Sequence, residues 1–166
     1  MEISFKSITL YTAVVLTGLS AGFFYAWAVS AIPGIRRVAD LTYLETMQSI
    51  NRAVLNPAFF LIFFGSLILL VISTVQQYQA GLVFWLMLVA TTIYLIGTFG
   101  VTVFGNVPLN NMLDALTISE LSPNQIIETR QQYEVQWNQL HTIRTWFSVL
   151  SFLVSLLAAF NFSKIL

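Results

Sequence analysis

The chain has 166 residues, of which 57% are hydrophobic and only 8% charged, and its mean hydropathy is +0.80. Soluble domains carry about 25% charged residues, so the composition excludes an ordinary soluble domain and predicts an integral membrane protein. Seven basic residues balance seven acidic ones, which excludes a basic surface for nucleic acid, and there is no cysteine for disulfides, thiolate catalysis or cysteine-ligated metal centres.

Charge-free stretches delimit the spans. Nothing charged lies between Lys6 and Arg36, between Arg52 and Asp114, or between Arg144 and Lys164. A helix crosses the hydrocarbon core in about 20 residues, so the middle stretch holds two spans. The reading is all-α, an integral membrane four-helix bundle forming one domain over residues 1–166. Its spans fall at about 7–31, 57–76, 81–105 and 141–162, and two amphipathic loop helices lie on one membrane face. "AWA" at 26–28 imitates a signal-cleavage site. The apolar run is too long for a signal peptide and Glu2 offsets Lys6, so the first span is expected to be retained. Gly18, Gly22, Ala26 and Ser30 recur every four residues along it, a ridge suited to close helix approach within the bundle or to a homo-oligomer.

A proline kink at Pro33 follows the first span, and a loop helix is expected over about 42–55. Thr42-x-x-Glu45 is a capping-box pattern at its start, and Leu44, Met47 and Val54 form an apolar stripe that Asn51 shares. Asn56 before Pro57 reads as the N-cap of span two. The short turn "QQYQA" (76–80) makes spans two and three a hairpin. Span three ends in "FGNVPLNN" (104–111), three amides and a proline at the edge of a solvent that cannot hydrogen-bond them. Asn106 has a local reading too, as a partner for carbonyls freed by Pro108.

The second loop helix, about 123–140, opens on the box Ser122-x-x-Gln125 with Pro123 at the first helical position. Ile126, Tyr133, Trp137 and Leu140 follow at helical spacing. In "EVQWNQLHTIRTWFS" (134–148), a helix puts Glu134, Asn138, His141, Thr145 and Ser148 on one face, with Arg144 beside His141. Ser148, Ser151, Ser155 and Ala158 continue as a small-residue ridge. Both halves of the chain thus read span, proline, capped helix, span, the outline of an internal duplication. Arg36, Arg37, Arg52, Arg130 and Arg144 lie on or near the long loops, against Lys6 and Lys164 on the other side. The positive-inside rule then places the long loops in the cytoplasm of a bacterial inner membrane, with both termini outside.

Three polar clusters converge on the face that carries the long loops: "INRAVLNP" (50–57), "NVPLNN" (106–111) and "WNQLHTIR" (137–144). The expected site is a buried polar pocket formed by Asn51, Asn106, Asn110, Asn138, His141 and Arg144, with Trp27 and Trp137 among its aromatic walls. Its expected ligand is a hydrophobic small molecule or a membrane lipid. A single histidine excludes a three-histidine zinc site, a two-histidine iron site and a bis-histidine haem within the chain. Neither GxGxxG nor GxxxxGK occurs, so no nucleotide cofactor is expected. Cofactor-free acid–base chemistry or plain binding remains.

The stretches "SAGFFYAWAVSAIPGI", "MQSINRAVLNPAFF", "GNVPLNNML" and "WNQLHTIRTWFS" stand in the order and spacing of a known group. From about residue 10 to 160 the chain resembles the anthrone-oxygenase-like membrane proteins, whose bacterial members are known as a domain of unknown function. The resemblance implies four spans. It also implies an oxidoreductase activity, because fungal members oxidise polyketide anthrones to anthraquinones with molecular oxygen and no obvious metal or flavin. On that implication His141 is the base, Arg144, Asn106 or Asn110 stabilises the anion, and Trp137 stacks on the rings. The alternatives are a non-catalytic lipid or small-molecule binding protein, or an accessory subunit. A secondary transporter fits less well, since intramembrane charges are few and no helix is broken beyond Pro108.

Overall fold

The computed structural model describes residues 4–164, and among these every regular element is a helix. Four helical runs are long and apolar enough to cross a membrane: Phe5–Ile35, Pro57–Gln76, Leu82–Asp114 and Pro123–Phe162. The first comprises α1 (Phe5–Ala26), a π-helical turn Trp27–Ala31 and the short α2 (Ile32–Ile35). Helix α3 (Asp40–Ala53) caps the bundle, and α4 (Pro57–Gln76) is the second span. The third span joins α5 (Leu82–Ile93), two π-helical stretches (Tyr94–Gly100 and Thr102–Asn106) and α6 (Val107–Asp114). The fourth is α7, Pro123–Phe162, unbroken over 40 residues.

The spans close into a ring. Helix α1 packs on α4 and α7, α5 packs on α7, and α4 on α5. The α4–α5 turn is the short one expected, closed by Gly81 at φ +56, a conformation that only glycine adopts without strain. One apolar core lies inside the ring around Leu10, Leu70, Met87, Tyr94 and Phe162. A second lies under α3, around Tyr43, Leu44, Met47, Leu113, Tyr133 and Trp137.

Several local expectations shift. The Thr42 capping box does not form. Helix α3 starts two residues earlier, with Asp40 in its first turn facing the helix dipole and Ala39 at the N-cap. The Ser122–Gln125 box and the Asn56 cap do form. Span three does not stop at 105 but runs on through Pro108 to Asp114. Pro108 is tolerated because the turn before it widens: Val107 N–H reaches back five residues to the Thr102 carbonyl. Pro33 is accommodated the same way, with Ile32 N–H on the Trp27 carbonyl. The wider turn relieves the clash that a proline ring makes with the carbonyl four residues back. The loop helix 123–140 and the span 141–162 are one rod, so the polar stripe passes into the bundle without a joint. On α1 only Gly18 of the expected ridge meets another helix, at Phe152; Gly22, Ala26 and Ser30 are exposed, and Gly22 has nothing near it. The α7 ridge is fully buried, and Ser151 donates to the Ala90 carbonyl at 2.8 Å.

The cap is tied down by polar contacts. Gln48 Nε2 on α3 donates to the Leu113 and Leu116 carbonyls at 2.7 and 3.0 Å, satisfying the C-terminal end of α6. Arg130 bonds Asp40, Glu134 and the carbonyls of Arg36 and Val38, which holds the 36–40 turn against α7. Its guanidinium lies 4.5 Å over the Tyr43 ring. Burial, with Glu134 nearby, pushes the Tyr43 phenol well above its usual range, so it stays protonated.

Candidate functional site

Four elements meet where the two cores adjoin. Helix α7 sends Tyr133, Trp137, His141 and Arg144 inward at spacings of four, four and three, which keeps them on one face. Helix α3 brings Asn51, α6 brings Asn110, and α1 brings Phe23 and Phe24. The first residues of two π-helical stretches, Trp27 and Thr102, add to the wall, as do the apolar Ile50, Val54, Leu55, Phe59 and Val107. All of these but Tyr133, which stands behind the wall, line a mostly apolar chamber in which the centre of a water-sized sphere has about 70 Å³ of room.

A relay of hydrogen bonds fixes the polar wall. Asn51 Nδ2 donates to Tyr133 Oη at 3.0 Å, Tyr133 Oη donates to Asn110 Oδ1 at 3.1 Å, and Trp137 Nε1 donates to the same oxygen at 2.8 Å. Two donors on one carbonyl oxygen set the Asn110 amide, and its Nδ2 has no acceptor among the described residues.

Below this relay Trp137 and His141 stack with ring centroids 5.0 Å apart and an interplanar angle of 5°. Arg144 Nε and Nη2 approach His141 Nδ1 at 3.2 and 3.0 Å. Arginine only donates, so Nδ1 accepts. His141 Nε2 lies 3.1 Å from the Phe24 carbonyl, which only accepts. The ring is therefore the Nε2–H tautomer, with its Nδ1 lone pair turned to the guanidinium. Arg144 is 7% exposed. Its other contacts are a long one to Thr102 Oγ1 at 3.5 Å and two ring faces, Phe24 at 4.7 Å and Trp137 at 5.1 Å. Among the described residues no carboxylate pairs with it; the ion pairs are Arg36–Glu134, Arg52–Asp114, Arg130–Asp40 and Arg130–Glu134. A buried cation without a counter-ion is costly, and this one faces a cavity. The arrangement suits a flat ligand with an anionic or strongly polarised oxygen.

Of the residues singled out from the sequence, Trp27, Asn51, Asn110, Trp137, His141 and Arg144 line this chamber. Asn106 and Asn138 do not. Asn106 is fully buried and donates to the Trp137 carbonyl at 3.2 Å, not to a carbonyl freed by Pro108. Asn138 carries a buried Nδ2 with no protein partner. Trp146, the other indole near the histidine, is 71% exposed on the outer face. Tyr133 and Thr102 enter the site unforeseen, Tyr133 through its bond to Asn110 and Thr102 as part of the wall. Tyr133 was legible from its spacing to Trp137 and His141, whereas Thr102 sits in an apolar run with no signal of its own.

Fold and site together define a small four-span membrane protein with a cation-bearing chamber under a helical cap. The sequence profile of the anthrone oxygenase family matches residues 51–154, which carry most of that chamber, and the chain belongs to this family. No curated protein and no solved structure matches it.

Proposed function

We propose that the protein is a cofactor-independent membrane oxygenase acting on a hydrophobic phenolic or polyketide-like ketone with an acidic methylene. The observation that carries this reading is Arg144, buried and without a counter-ion among the described residues, beside the only histidine and facing a chamber with aromatic walls. The substrate oxygen takes the guanidinium from His141, and the released Nδ1 lone pair accepts a proton from the methylene. The resulting anion is delocalised onto that oxygen and held by Arg144 and the free Asn110 amide. It gives one electron to O2. The radical pair then joins as a C–O bond, and His141 returns the proton to the peroxide. Loss of the second methylene proton with cleavage of the O–O bond releases water and leaves the ketone. The net change is one CH2 and one O2 to one C=O and one H2O. Trp137 and Phe24 flank the rings.

Oxygen uptake with anthrone, corrected for its spontaneous oxidation, tests this in reconstituted protein. Arg144→Met should lower kcat/KM about 10²–10³-fold, and His141→Ala about 10²–10⁴-fold. Uptake unchanged in both variants would overturn the mechanism.

A second reading rests on the fact that both His141 ring nitrogens are already engaged. In it the histidine anchors Arg144, and the chamber binds a lipid or small molecule without turnover. A ligand retained through purification, with no oxygen uptake by the wild type, selects that reading.

A further inference from the structure

The chamber is not closed on all sides. A groove in which the centre of a water-sized sphere has about 440 Å³ of room runs outward between α1, the end of α3 and the first turns of α4. Five wall residues belong to both spaces: Phe23, Trp27, Ile50, Val54 and Phe59. The groove is therefore an extension of the chamber. Its width comes from Ala53 and Ala58, small exposed side chains at the end of α3 and the start of α4.

Polarity divides sharply along this path. The one polar side chain of the outer part is Asn56. Its amide is spent locally, Oδ1 accepting from Phe59 N–H at 3.0 Å and Nδ2 donating to the Ala53 carbonyl at 2.9 Å. The unspent donors of Arg144 and Asn110 lie at the inner end, and the Trp27 indole N–H, with no acceptor among the described residues, stands where chamber and groove meet. Tyr25, Phe60 and Leu61, next in sequence to groove residues, are exposed apolar side chains on two of the membrane-spanning helices. A ligand that satisfies the whole path is polar at one end only.

Taking the chamber as a ligand site, as proposed above, we infer that its ligand is an amphiphile. An aromatic head with a hydroxyl or ketone oxygen meets Arg144 and Asn110, and a hydrocarbon tail lies in the groove and passes between α1 and α4 into the bilayer. The head gives recognition. The tail gives lateral entry, because moving it from lipid into an apolar groove involves no dehydration.

The test uses protein in phosphatidylcholine nanodiscs and a para-dodecylphenol bearing a diazirine midway along its chain. Saturable cross-links should fall on Ala53, Ala58 and Ile62. Excess unlabelled para-dodecylphenol should compete; dodecyl maltoside, with the same tail and a sugar head, should not. Ala58→Trp, an exposed and fold-tolerant change, should cut the groove cross-links at least about tenfold and leave para-cresol binding within about twofold. Ala53→Trp blocks the opposite wall and serves as the second variant. Cross-links spread evenly over lipid-facing residues would overturn the inference, as would equal competition by dodecyl maltoside, which would make the groove a seat for any lipid chain. Loss of para-cresol binding in both blocked variants would overturn it too. The readout is binding, so saturable groove cross-links without oxygen uptake would sink the oxygenase reading alone.

Discussion

At the scale of single residues, Tyr133 organises the polar wall although it touches neither His141 nor Arg144 through a hydrogen bond. Its hydroxyl accepts from Asn51 and donates to Asn110, and so joins the cap helix to the third span. Tyr133→Phe keeps the ring and its edge contact with Tyr43 but leaves the buried Asn51 amide unpaired. The expected cost is about 1–3 kcal/mol, read as a lower unfolding midpoint in detergent; an unchanged midpoint would remove the relay as a source of stability. The amides at 106–111 were visible in the sequence as misfits in an apolar setting. What each does was not, because a side chain's partner depends on neighbours far along the chain. Asn110 faces the chamber, whereas Asn106, four residues away on the same helical run, spends its Nδ2 on the Trp137 carbonyl.

At the scale of elements, the third span is irregular where it meets α7. Its π-helical stretch Tyr94–Gly100 lies against α7, and a Cβ on Gly97 would fall 2.0 Å from Phe147. That contact involves ring and Cβ atoms at the base of the Phe147 side chain, so a rotamer change alone does not clear it. Gly97→Ala should destabilise the bundle by about 1–3 kcal/mol, and Phe147→Ala in the same chain should restore part of the loss. Gly22→Ala, with nothing within 4 Å, is the matched control and should melt at or slightly above the wild type, because alanine favours the helix. A Gly97→Ala variant as stable as Gly22→Ala would show that the two helices separate more easily than this contact suggests. Helical periodicity alone marked Gly18, Gly22, Ala26 and Ser30 as a packing ridge. Which face of α1 is buried is decided by the positions of α4 and α7, and that face carries Ala13, Thr17, Ser20 and Ala21 instead.

At the scale of the whole molecule, four spans put both termini on one side and the chamber's cap on the other. On the positive-inside rule the cap is expected on the cytoplasmic side. The absence of cysteine makes this directly measurable. A single Ser119→Cys, on an exposed turn of the cap side, should react with an impermeant maleimide only after cells are opened. Labelling in intact cells would invert the orientation and place the cap outside.

Composition, charge gaps and caps determined the membrane class, the four spans, the hairpin turn and the two helix starts at Asn56 and Ser122. These features arise from local chemistry: hydrophobic length, orphan N–H groups, and the backbone freedom of glycine. The enclosure of Arg144, the tautomer of His141, the division of the asparagines between chamber and scaffold, and the groove beside α4 were decided only by the tertiary structure. Each depends on which faces of separate helices meet, and that is settled by shape complementarity between segments distant in the chain, which no local pattern encodes.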